Sequence, residues 1–374
     1  MNKMSRSSII KFFQLPLSSN AMITVDRAIS ELRRGGLIKI NANDGSSALI
    51  LAAEMASEET LNNLKQMSHT MPFVVITGQR AAVLGLTQDK SQVAIIISPN
   101  PLNTVYISNL IDPLNDLSLN SQSTLYTEQT PNWANGAITL IKLTRLLPAF
   151  IAIPTLENHA DLFHVNIADV FSYQETVAYK LKRVAEARVP LINAKNTRVI
   201  AFRPSDGGIE HLAIIIGNLD QNQSILTRLH SKCFTGDLLG SLRCDCNDQL
   251  RGAIAQLSKN GNGILLYLAQ EGRSIGLINK IRAYQLQDNG FDTLDANKQL
   301  GFDEDERIYL PAVEILHLLN ITRIRLLTNN PRKVEELSRH GIEITERVSI
   351  TFPSNNYNST YLRTKETRSG HLFK

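Results

Sequence analysis

The residues of this sequence best suited to chemistry are its cysteines. All three, Cys233, Cys244 and Cys246, lie in the stretch Arg228–Gln249. Thiolates bind Zn²⁺ well, and a structural zinc site normally has four protein ligands. Because the chain contains no fourth cysteine, an all-cysteine site of that kind within one subunit is excluded. Two arrangements remain: three thiolates with an open position, which is typical of catalytic zinc, or three thiolates with an imidazole such as that of His230.

Scattered cysteines are usually buried or unused residues, and this is the alternative to a metal site. Here the cysteines are clustered, two of them form a Cys-x-Cys pattern, and Arg243 and Asp245 lie beside them. The clustering favours a metal site.

Two segments downstream offer groups that suit an anion. Gln270–Arg273 and Thr328–Lys333 each lie between a predicted strand and a predicted helix. Main-chain amides at a helix N-terminus can face a phosphate, and both segments also carry cations. The alternatives are simple helix capping by Asn330 and a surface ion pair between Glu271 and Arg273. Beside a metal site, the two segments favour a nucleoside triphosphate as ligand.

Composition limits the class of protein. The chain has 374 residues, enough for two domains, with 43% hydrophobic residues and a net charge of +4. No apolar run approaches the length of a membrane span, and the basic residues are not interleaved with aromatic ones, so neither membrane nor nucleic acid is a predicted partner. An odd number of cysteines in a long chain predicts reduced thiols in a cytoplasmic protein.

Helix and strand patterns alternate in both halves, which predicts an α+β (mixed α/β) fold of two domains, each a layered sheet with packed helices. We expect a disordered leader at residues 1–22, a first domain at 23–175, a second at 180–352 and a flexible tail at 353–374. The strands predicted in the second domain are Thr197–Phe202, His211–Ile216, Ser224–Leu229, Gly263–Leu268, Ile324–Leu327 and Ile342–Ile344. The helices predicted there are Gln249–Leu257, Ser274–Gln287, Pro311–Leu319 and a last one from Pro331 to Gly341.

From Arg183 onward the sequence closely resembles the GTP cyclohydrolase II family. The resemblance is carried by RVAEA, RLHSKCFTGDLLGSLRCDC, QEGRSIGLINKIRAYQLQDNGFDTLDANKQLGF, DER, LLTNNPRKV and YLRTKETRSGHL. It implies an enzyme that opens the imidazole ring of GTP, releases C8 as formate and removes pyrophosphate. The product, a diaminopyrimidinone ribosyl phosphate, enters riboflavin synthesis. The resemblance also implies a homodimer.

The same resemblance assigns the site residues. It makes Cys233, Cys244 and Cys246 the ligands of one Zn²⁺ per subunit. It makes Asp305 and Arg307 the catalytic pair, with assistance from Tyr284. The GTP contacts that it implies are Arg228, Leu229, His230, Ser231, Lys232, Gln249, Glu271, Gly272, Arg273, Thr293, Thr328 and Lys333.

Physical chemistry qualifies these roles. Asp305 is expected to accept a proton if it lies within hydrogen-bond reach. The family mechanism usually casts the arginine as a nucleophile, but a guanidinium, with a pKa above roughly 12, stays protonated, which favours charge stabilisation by Arg307. Lys333, Arg273 and Mg²⁺ are expected to share the triphosphate charge. Lys232 and Asn247 depart from the family, which usually has Glu and Gly there.

The first half resembles 3,4-dihydroxy-2-butanone 4-phosphate synthase in outline. The resemblance rests on DRAISELRRGGLIKI (Asp26–Ile40), ILAAEMAS (Ile50–Ser57) and GAITLIKLTRLLPAFIAI (Gly136–Ile153). That family has an acidic loop for Mg²⁺ after its first strand, whereas the corresponding loop here offers Asp44 alone beside Asn43, Ser46 and Ala48.

A His-Thr-Glu signature of that family corresponds to Trp133, Ala134 and Asn135 here. Without these acids and bases the first domain is predicted to be catalytically inactive, and Trp133 is predicted to be a packing residue. The alternatives are a bifunctional riboflavin enzyme and a non-catalytic GTP-binding regulator or zinc-stabilised nucleic-acid binder. Conversion of ribulose 5-phosphate would favour the first, and GTP or RNA binding without turnover the second.

Overall fold

The structure is a computed structural model, and it divides into two compact units. It describes residues 18–67, 70–87, 89–90, 93–98, 100–115, 125–127, 130–205, 207–220, 222–359, 363, 366–368 and 370. The first unit comprises residues from 1–77, 91–111 and 118–179, and the second comprises residues from 78–90, 112–117 and 180–374. The second unit therefore includes two segments from the first half of the chain.

The elements are numbered in chain order. Those up to residue 179 are α1 (Ser19–Arg33), β1 (Ile38–Asn41), β2 (Ser47–Ala52), a 3-10 turn (Ala53–Met55), α2 (Glu58–Gln66), β3 (Phe73–Ile76), α3 (Gly78–Val83), β4 (Ala94–Ile97), α4 (Thr104–Ile111), β5 (Leu125–Thr127), α5 (Trp133–Thr144), β6 (Ala149–Pro154), β7 (Phe163–Asn166) and α6 (Ile167–Tyr179). Those that follow are β8 (Leu181–Arg188), β9 (Thr197–Pro204), β10 (His211–Ile216), β11 (Ile225–Ser231), a π turn (Phe234–Leu238), α7 (Cys246–Lys259), β12 (Gly263–Leu268), a 3-10 turn (Glu271–Ser274), α8 (Leu277–Asp288), α9 (Thr293–Gln299), α10 (Leu310–Leu318), β13 (Arg323–Leu327), α11 (Pro331–Arg339) and β14 (Glu343–Val348).

In the first unit, the described strands form one sheet in the order β5-β4-β3-β6-β2-β1-β7. Every residue of β2 is buried, as expected for a central strand covered on both faces. Trp133 at the start of α5 is 1% exposed, and its ring lies 6.4 Å from that of Phe73 and 6.2 Å from that of Phe150. The prediction that Trp133 is a packing residue is confirmed.

In the second unit, the described strands form a sheet in the order β14-β13-β11-β12-β10-β9-β8. One half of the sheet is parallel, and it consists of β12, β11, β13 and β14. The other half is antiparallel, and it consists of β12, β10, β9 and β8. The predicted α+β class with a layered sheet in each of two domains is confirmed.

Several elements differ from the sequence-based expectations. Helix α1 begins at Ser19, inside the predicted leader, because the Ser18 side chain accepts a hydrogen bond from the Ala21 amide and caps the helix. Residues 1–17 lie outside the described part of the chain. The helices α2, α3, α4, α6 and α9 were not predicted. Among the described residues, no helix is long and apolar enough to cross a membrane.

Replacing Trp133 with alanine tests the packing of the first unit. The change removes a fully buried ring between Phe73 and Phe150, so we expect the free energy of unfolding to fall by about 3–5 kcal/mol. Denaturant unfolding followed by circular dichroism measures it. Leu156→Ala is the control, because Leu156 is 89% exposed, and an equal loss in both variants would contradict the packing role.

Candidate active site

The candidate site lies where three neighbouring parallel strands end. Ser231 at the end of β11 is in register with Leu268 at the end of β12, and β13 pairs parallel with β11 on its other side. The carboxyl ends of parallel strands meet at one edge of a sheet, which is where open α/β sheets bind ligands. The segments after Ser231, Leu268 and Leu327 are the three that the sequence analysis selected, and the fold brings them to one pocket.

The three cysteines converge beside this pocket. Cys233 follows β11, Cys244 precedes α7, and Cys246 is the first residue of α7. Their sulfur atoms lie within 4.8 Å of one another, and those of Cys233 and Cys244 are 3.7 Å apart. Hydrogen bonds from Cys244, Cys246 and Lys280 lower the pKa of Cys233, which favours its thiolate.

The turn at Gly236 leaves room for this cluster. A Cβ atom at position 236 would lie 2.7 Å from the Cβ of Cys246, 2.9 Å from the sulfur of Cys244 and 3.0 Å from that of Cys233. The Gly236 amide also donates to the sulfur of Cys233 at 3.3 Å. A concave turn lined by three soft donors fits a thiophilic ion such as Zn²⁺. Among the described residues, no other group of histidine, cysteine and acidic side chains meets that distance limit.

A buried carboxylate holds the turn in place. Asp237 accepts a hydrogen bond from the Cys233 amide at 3.0 Å and another from the Tyr267 hydroxyl at 2.8 Å. Its other oxygen lies 3.0 Å from Nε2 of His230, whose ring stacks on Tyr267 with centroids 5.6 Å apart. His230 is 4% exposed, and burial lowers its pKa. Since Nε2 of His230 faces Asp237 and the residue is not part of the metal-type cluster, the alternative with His230 as a fourth ligand loses its support.

Lys280 and Glu271 form a second contact with the cluster. The Lys280 ammonium donates to the sulfur of Cys233 at 2.9 Å and to Glu271 at 2.8 Å. The other Glu271 oxygen accepts from the Phe234 amide at 2.7 Å. Burial opposes the charge on Lys280, but its bonds to Cys233 and Glu271 raise its pKa overall. Glu271, predicted as a GTP contact, is 5% exposed and supports the cysteine loop instead of lining the pocket.

Buried cations also line the pocket. Arg228 donates to the Leu327 carbonyl at 2.9 Å and to Gln249, and burial lowers its pKa to about 10. Gln249 in turn donates to Asp245. Lys333 in the first turn of α11 donates to the Leu229 carbonyl at 2.9 Å. Both cations line the pocket, so they are placed to bind an anion there.

The two predicted anion-binding segments have distinct local structures. In the first, Gly272, Arg273 and Ser274 have φ values of 62°, 59° and 78°. Consecutive left-handed residues other than glycine are strained, and such strain is concentrated at functional sites. In the second, Asn330 caps α11 by accepting from the Arg332 amide at 3.0 Å, so the capping interpretation of Asn330 is confirmed.

The predicted catalytic pair is a bidentate ion pair. Arg307 donates to the two oxygens of Asp305 at 2.7 and 2.6 Å, and its remaining terminal nitrogen lies 3.5 Å from the Ser231 hydroxyl. Burial alone would raise the pKa of Asp305, but the hydrogen bonds and charge of Arg307 outweigh it and lower that pKa. Arg307 lines the pocket and Asp305 does not. In this arrangement Asp305 orients Arg307.

Tyr284, predicted to assist, lies on α8 beside the cysteine loop. Its hydroxyl is 3.2 Å from that of Thr235, and the Arg243 guanidinium lies 5.1 Å from its ring centre. Burial raises the pKa of Tyr284 to about 12, so the phenol remains a hydrogen-bond donor at neutral pH.

All the predicted site residues except Glu271 and Asp305 line the pocket. They are Arg228, Leu229, His230, Ser231, Lys232, Cys233, Cys244, Cys246, Gln249, Gly272, Arg273, Tyr284, Thr293, Arg307, Thr328 and Lys333. Sequence reasoning missed Asp237 and Lys280, which hold the cysteine loop. The one signal for Lys280 was its position four residues before Tyr284, on the same face of α8.

Asn247 and Lys232, the two residues of the cysteine loop that differ from the usual family sequence, have different surroundings. Asn247 donates to the Gly236 carbonyl at 3.2 Å and accepts from Arg251 at 3.0 Å, so it supports the turn around the cluster. Lys232 is exposed and lines the pocket. It therefore adds a cation at the site.

In the first unit, the Asp44 carboxylate accepts hydrogen bonds from residues of the same unit. It accepts from the Ser46 amide and hydroxyl at 2.9 and 2.6 Å, and from Asn132 at 2.6 Å. The hydrogen bonds from Ser46 lower the pKa of Asp44. In the part of the chain that the structure describes, Asp44 belongs to no group of three or more histidine, cysteine or acidic side chains that could hold a metal ion.

Comparison with known proteins points to one family. The sequence model of GTP cyclohydrolase II matches residues 182–349. A GTP cyclohydrolase-2 from Azospirillum brasilense is 47% identical over 370 residues, which cover 96% of each chain. One from Xylella fastidiosa is 38% identical over 370 residues, covering 95% of this chain and 89% of that protein. One from Blochmanniella pennsylvanica is 50% identical over 194 residues, covering 52% of this chain and 97% of that protein.

Solved structures of 3,4-dihydroxy-2-butanone 4-phosphate synthase are also partly similar. A two-domain synthase from A. baumannii has a TM-score of 0.31 and 13% identity, covering 88% of this chain and 99% of that one. A synthase from Candida albicans has a TM-score of 0.31 and 15% identity, covering 40% and 96%. Similarity at this level supports no conclusion, so the interpretation of the first half stays a prediction.

Replacing Gly236 with alanine tests the metal fit. The added methyl group would overlap the cysteine side chains, and overpacking of this kind costs about 1–3 kcal/mol. We expect weaker binding of Zn²⁺, measured by competition with a chromophoric chelator. Leu238→Ala, in the same turn but 69% exposed, is the control. Unchanged affinity in Gly236→Ala would show that the ion does not bind among these thiols.

Replacing Asp237 with asparagine tests the support of the turn. Asparagine keeps one acceptor oxygen for the Cys233 amide and Tyr267, but an amide nitrogen replaces the oxygen that faces His230, and the negative charge that holds the turn is lost. Loss of such a supporting group typically weakens metal binding by about 10- to 100-fold. Metal titration of Asp237→Asn beside Asp220→Asn, a change in an exposed turn, measures the effect. Equal affinities in the two variants would contradict the role of Asp237.

Proposed function

Since the chain belongs to the GTP cyclohydrolase II family, we propose that it hydrolyses GTP to 2,5-diamino-6-(5-phosphoribosylamino)pyrimidin-4(3H)-one, formate and pyrophosphate, the first committed step of riboflavin synthesis. The observation that carries the proposal is the convergence of three thiols, buried cations and the Arg307 guanidinium on one pocket. A zinc-stabilised nucleic-acid binder would not need thiols, buried cations and a guanidinium in one pocket.

Cys233, Cys244 and Cys246 would hold one Zn²⁺ per subunit. When bound, the ion would act as a Lewis acid that lowers the pKa of a bound water molecule towards neutral pH. The protein's own contribution is to keep the thiols together. Lys280 stabilises Cys233 as a thiolate, while Gly236 leaves space for the ion.

The triphosphate would bind to the cations of the pocket. Arg228 and Lys333 are buried and already fixed by main-chain carbonyls, so little side-chain freedom is lost on binding. Arg273 in the strained turn and the α11 N-terminus add positive charge. Mg²⁺ would accompany the triphosphate, because magnesium usually binds through substrate phosphates.

Arg307 and Asp305 are proposed to act as a unit. The guanidinium faces the pocket and would stabilise negative charge that develops on the departing pyrophosphate. Asp305 keeps Arg307 in this orientation through its two hydrogen bonds. Acceptance of a proton by Asp305 would require the pair to separate first. Tyr284 would donate a hydrogen bond from its protonated hydroxyl.

The first unit is proposed to be inactive as a dihydroxybutanone phosphate synthase. Its single loop carboxylate, Asp44, is held by Ser46 and Asn132. One carboxylate does not make the cluster that Mg²⁺ chemistry needs. We further propose a homodimer in the cytoplasm.

Turnover of GTP tests the proposal. Zinc-loaded protein incubated with GTP and Mg²⁺ is expected to release formate and pyrophosphate in equal amounts, measured by coupled assays. Arg307→Lys retains a charge but loses the bidentate geometry, and Asp305→Asn leaves Arg307 without its anionic partner. We expect each change to lower kcat by about 100-fold or more, the size seen when one transition-state donor is removed.

The control is Arg203→Lys, an exposed residue whose ion pair with Glu210 lies at the surface. Binding of GTP without formate release would favour the non-catalytic regulator and contradict the proposal. Release of dihydroxybutanone phosphate from ribulose 5-phosphate would instead favour the bifunctional enzyme.

A further inference from the structure

Arg80 is a buried cation that belongs to the second unit although it lies in the first half of the chain. It sits in α3, within the segment 78–90 that groups with the second unit. Arg80 is 2% exposed, and its guanidinium donates to the Gln299 main-chain carbonyl at 3.2 Å. Burial lowers the pKa of Arg80 to about 10, and the charge of Asp112 opposes this shift. A cation is costly to bury, so acceptors must compensate for the water that Arg80 has lost.

The carbonyl that Arg80 binds ends the helix α9. The last carbonyls of a helix have no partner within it, and a cation there also interacts favourably with the helix dipole. Thr293 and Asn297 of α9 line the GTP pocket. Arg80 therefore holds one end of a helix that contributes two residues to the pocket.

Helix α9 also contacts the loop that contains Asp305 and Arg307. Asn297 lies 3.5 and 3.4 Å from the carbonyls of Asp303 and Glu304, and it accepts from the Phe302 amide through its own carbonyl at 2.9 Å. Lys298 pairs with the Glu304 carboxylate at 2.9 Å. The orientation of Asp305 and Arg307 thus depends on where α9 lies.

Two more contacts come from the same segments of the first half. Gln79 of α3 lies 3.4 Å from the Asp303 carboxylate, at the start of the catalytic loop. Asp112 lies 3.4 Å from Arg282 of α8, the helix that also carries Tyr284. The segments therefore contact α8, α9 and the loop between α9 and α10, which together hold both Tyr284 and Arg307.

We propose that Arg80 is a positioning residue for the catalytic loop, acting through the end of α9. This inference rests on the proposed function. By fixing the Gln299 end of α9, Arg80 keeps the loop 301–307 where the Asp305–Arg307 pair presents its guanidinium to the pocket. A displacement of about 1 Å at a reacting group can cost about 100-fold in rate. A role limited to stability would lower the melting temperature and leave the kcat of the folded protein unchanged.

The experiment compares four full-length, zinc-loaded proteins: wild type, Arg80→Met, Arg80→Lys and Lys39→Met. Lys39 is the matched control, because it is a 7%-exposed cation in the first unit that donates to the Glu157 main-chain carbonyl at 2.7 Å. The readouts are kcat and KM for GTP from formate release, zinc content by emission spectrometry, and the melting temperature.

We expect Arg80→Met to lower kcat by about 10- to 100-fold while zinc content matches wild type. Arg80→Lys should recover most of the loss, and Lys39→Met should stay within about twofold of wild type, as expected for a change in the unit that does not contain the site. Wild-type kcat in Arg80→Met, or an equal loss in Lys39→Met, would overturn the inference.

If Arg80→Met does not fold, Asp112→Asn decides, since it removes the negative charge that acts on Arg80 and pairs with Arg282, without a change in volume. A lowered kcat in this variant supports the inference, and an unchanged one overturns it. A wild-type protein that releases no formate would instead overturn the proposed function, and the inference with it.

Discussion

The site depends on one buried carboxylate, that of Asp237. It accepts a hydrogen bond from the Cys233 amide and another from Tyr267, and it lies beside His230. His230 belongs to β11 and Tyr267 to β12, so one side chain joins two parallel strands to the cysteine loop. A fully satisfied buried network of this kind is rigid, whereas the loss of one partner leaves the others unpaired in a medium of low dielectric constant. The geometry of the thiols therefore follows from hydrogen bonds made by residues that bind no metal themselves.

Much of this site could be predicted because its residue types are local signals. Three clustered cysteines, a cap at Asn330 and a strand before each anion-binding segment are visible without the fold. The groups that hold these residues were not visible. Lys280 donates to Cys233 across 47 positions, and nothing near Lys280 in the sequence marks its partner. Asp305 was expected to act on a proton, yet both its oxygens are bonded to Arg307.

The fold shows the same division between local and distant determinants. The buried strands of the second unit were readable from periodicity, and Trp133 packs as expected. Helix α9 was missed because its seven residues, Thr293–Gln299, are too few for a periodic apolar pattern. Its N-terminus does carry a local signal, since Asp292 accepts from the amides of Leu294 and Asp295.

The two compact units do not coincide with the two halves of the sequence, because α3 belongs to the second unit. Strand β3 ends at Ile76 and β4 begins at Ala94, so α3 is connected at both ends to strands of the first sheet. Burial of the Arg80 guanidinium is unfavourable unless an acceptor compensates for lost water, and the Gln299 carbonyl is one such acceptor. A second half expressed alone would retain every thiol and every cation of the pocket, but the end of α9 would lose this donor. The presence of half-length relatives shows that the family does not require a first half in general. In this chain, however, the contacts of Arg80, Gln79 and Asp112 make parts of the first half components of the unit that contains the site.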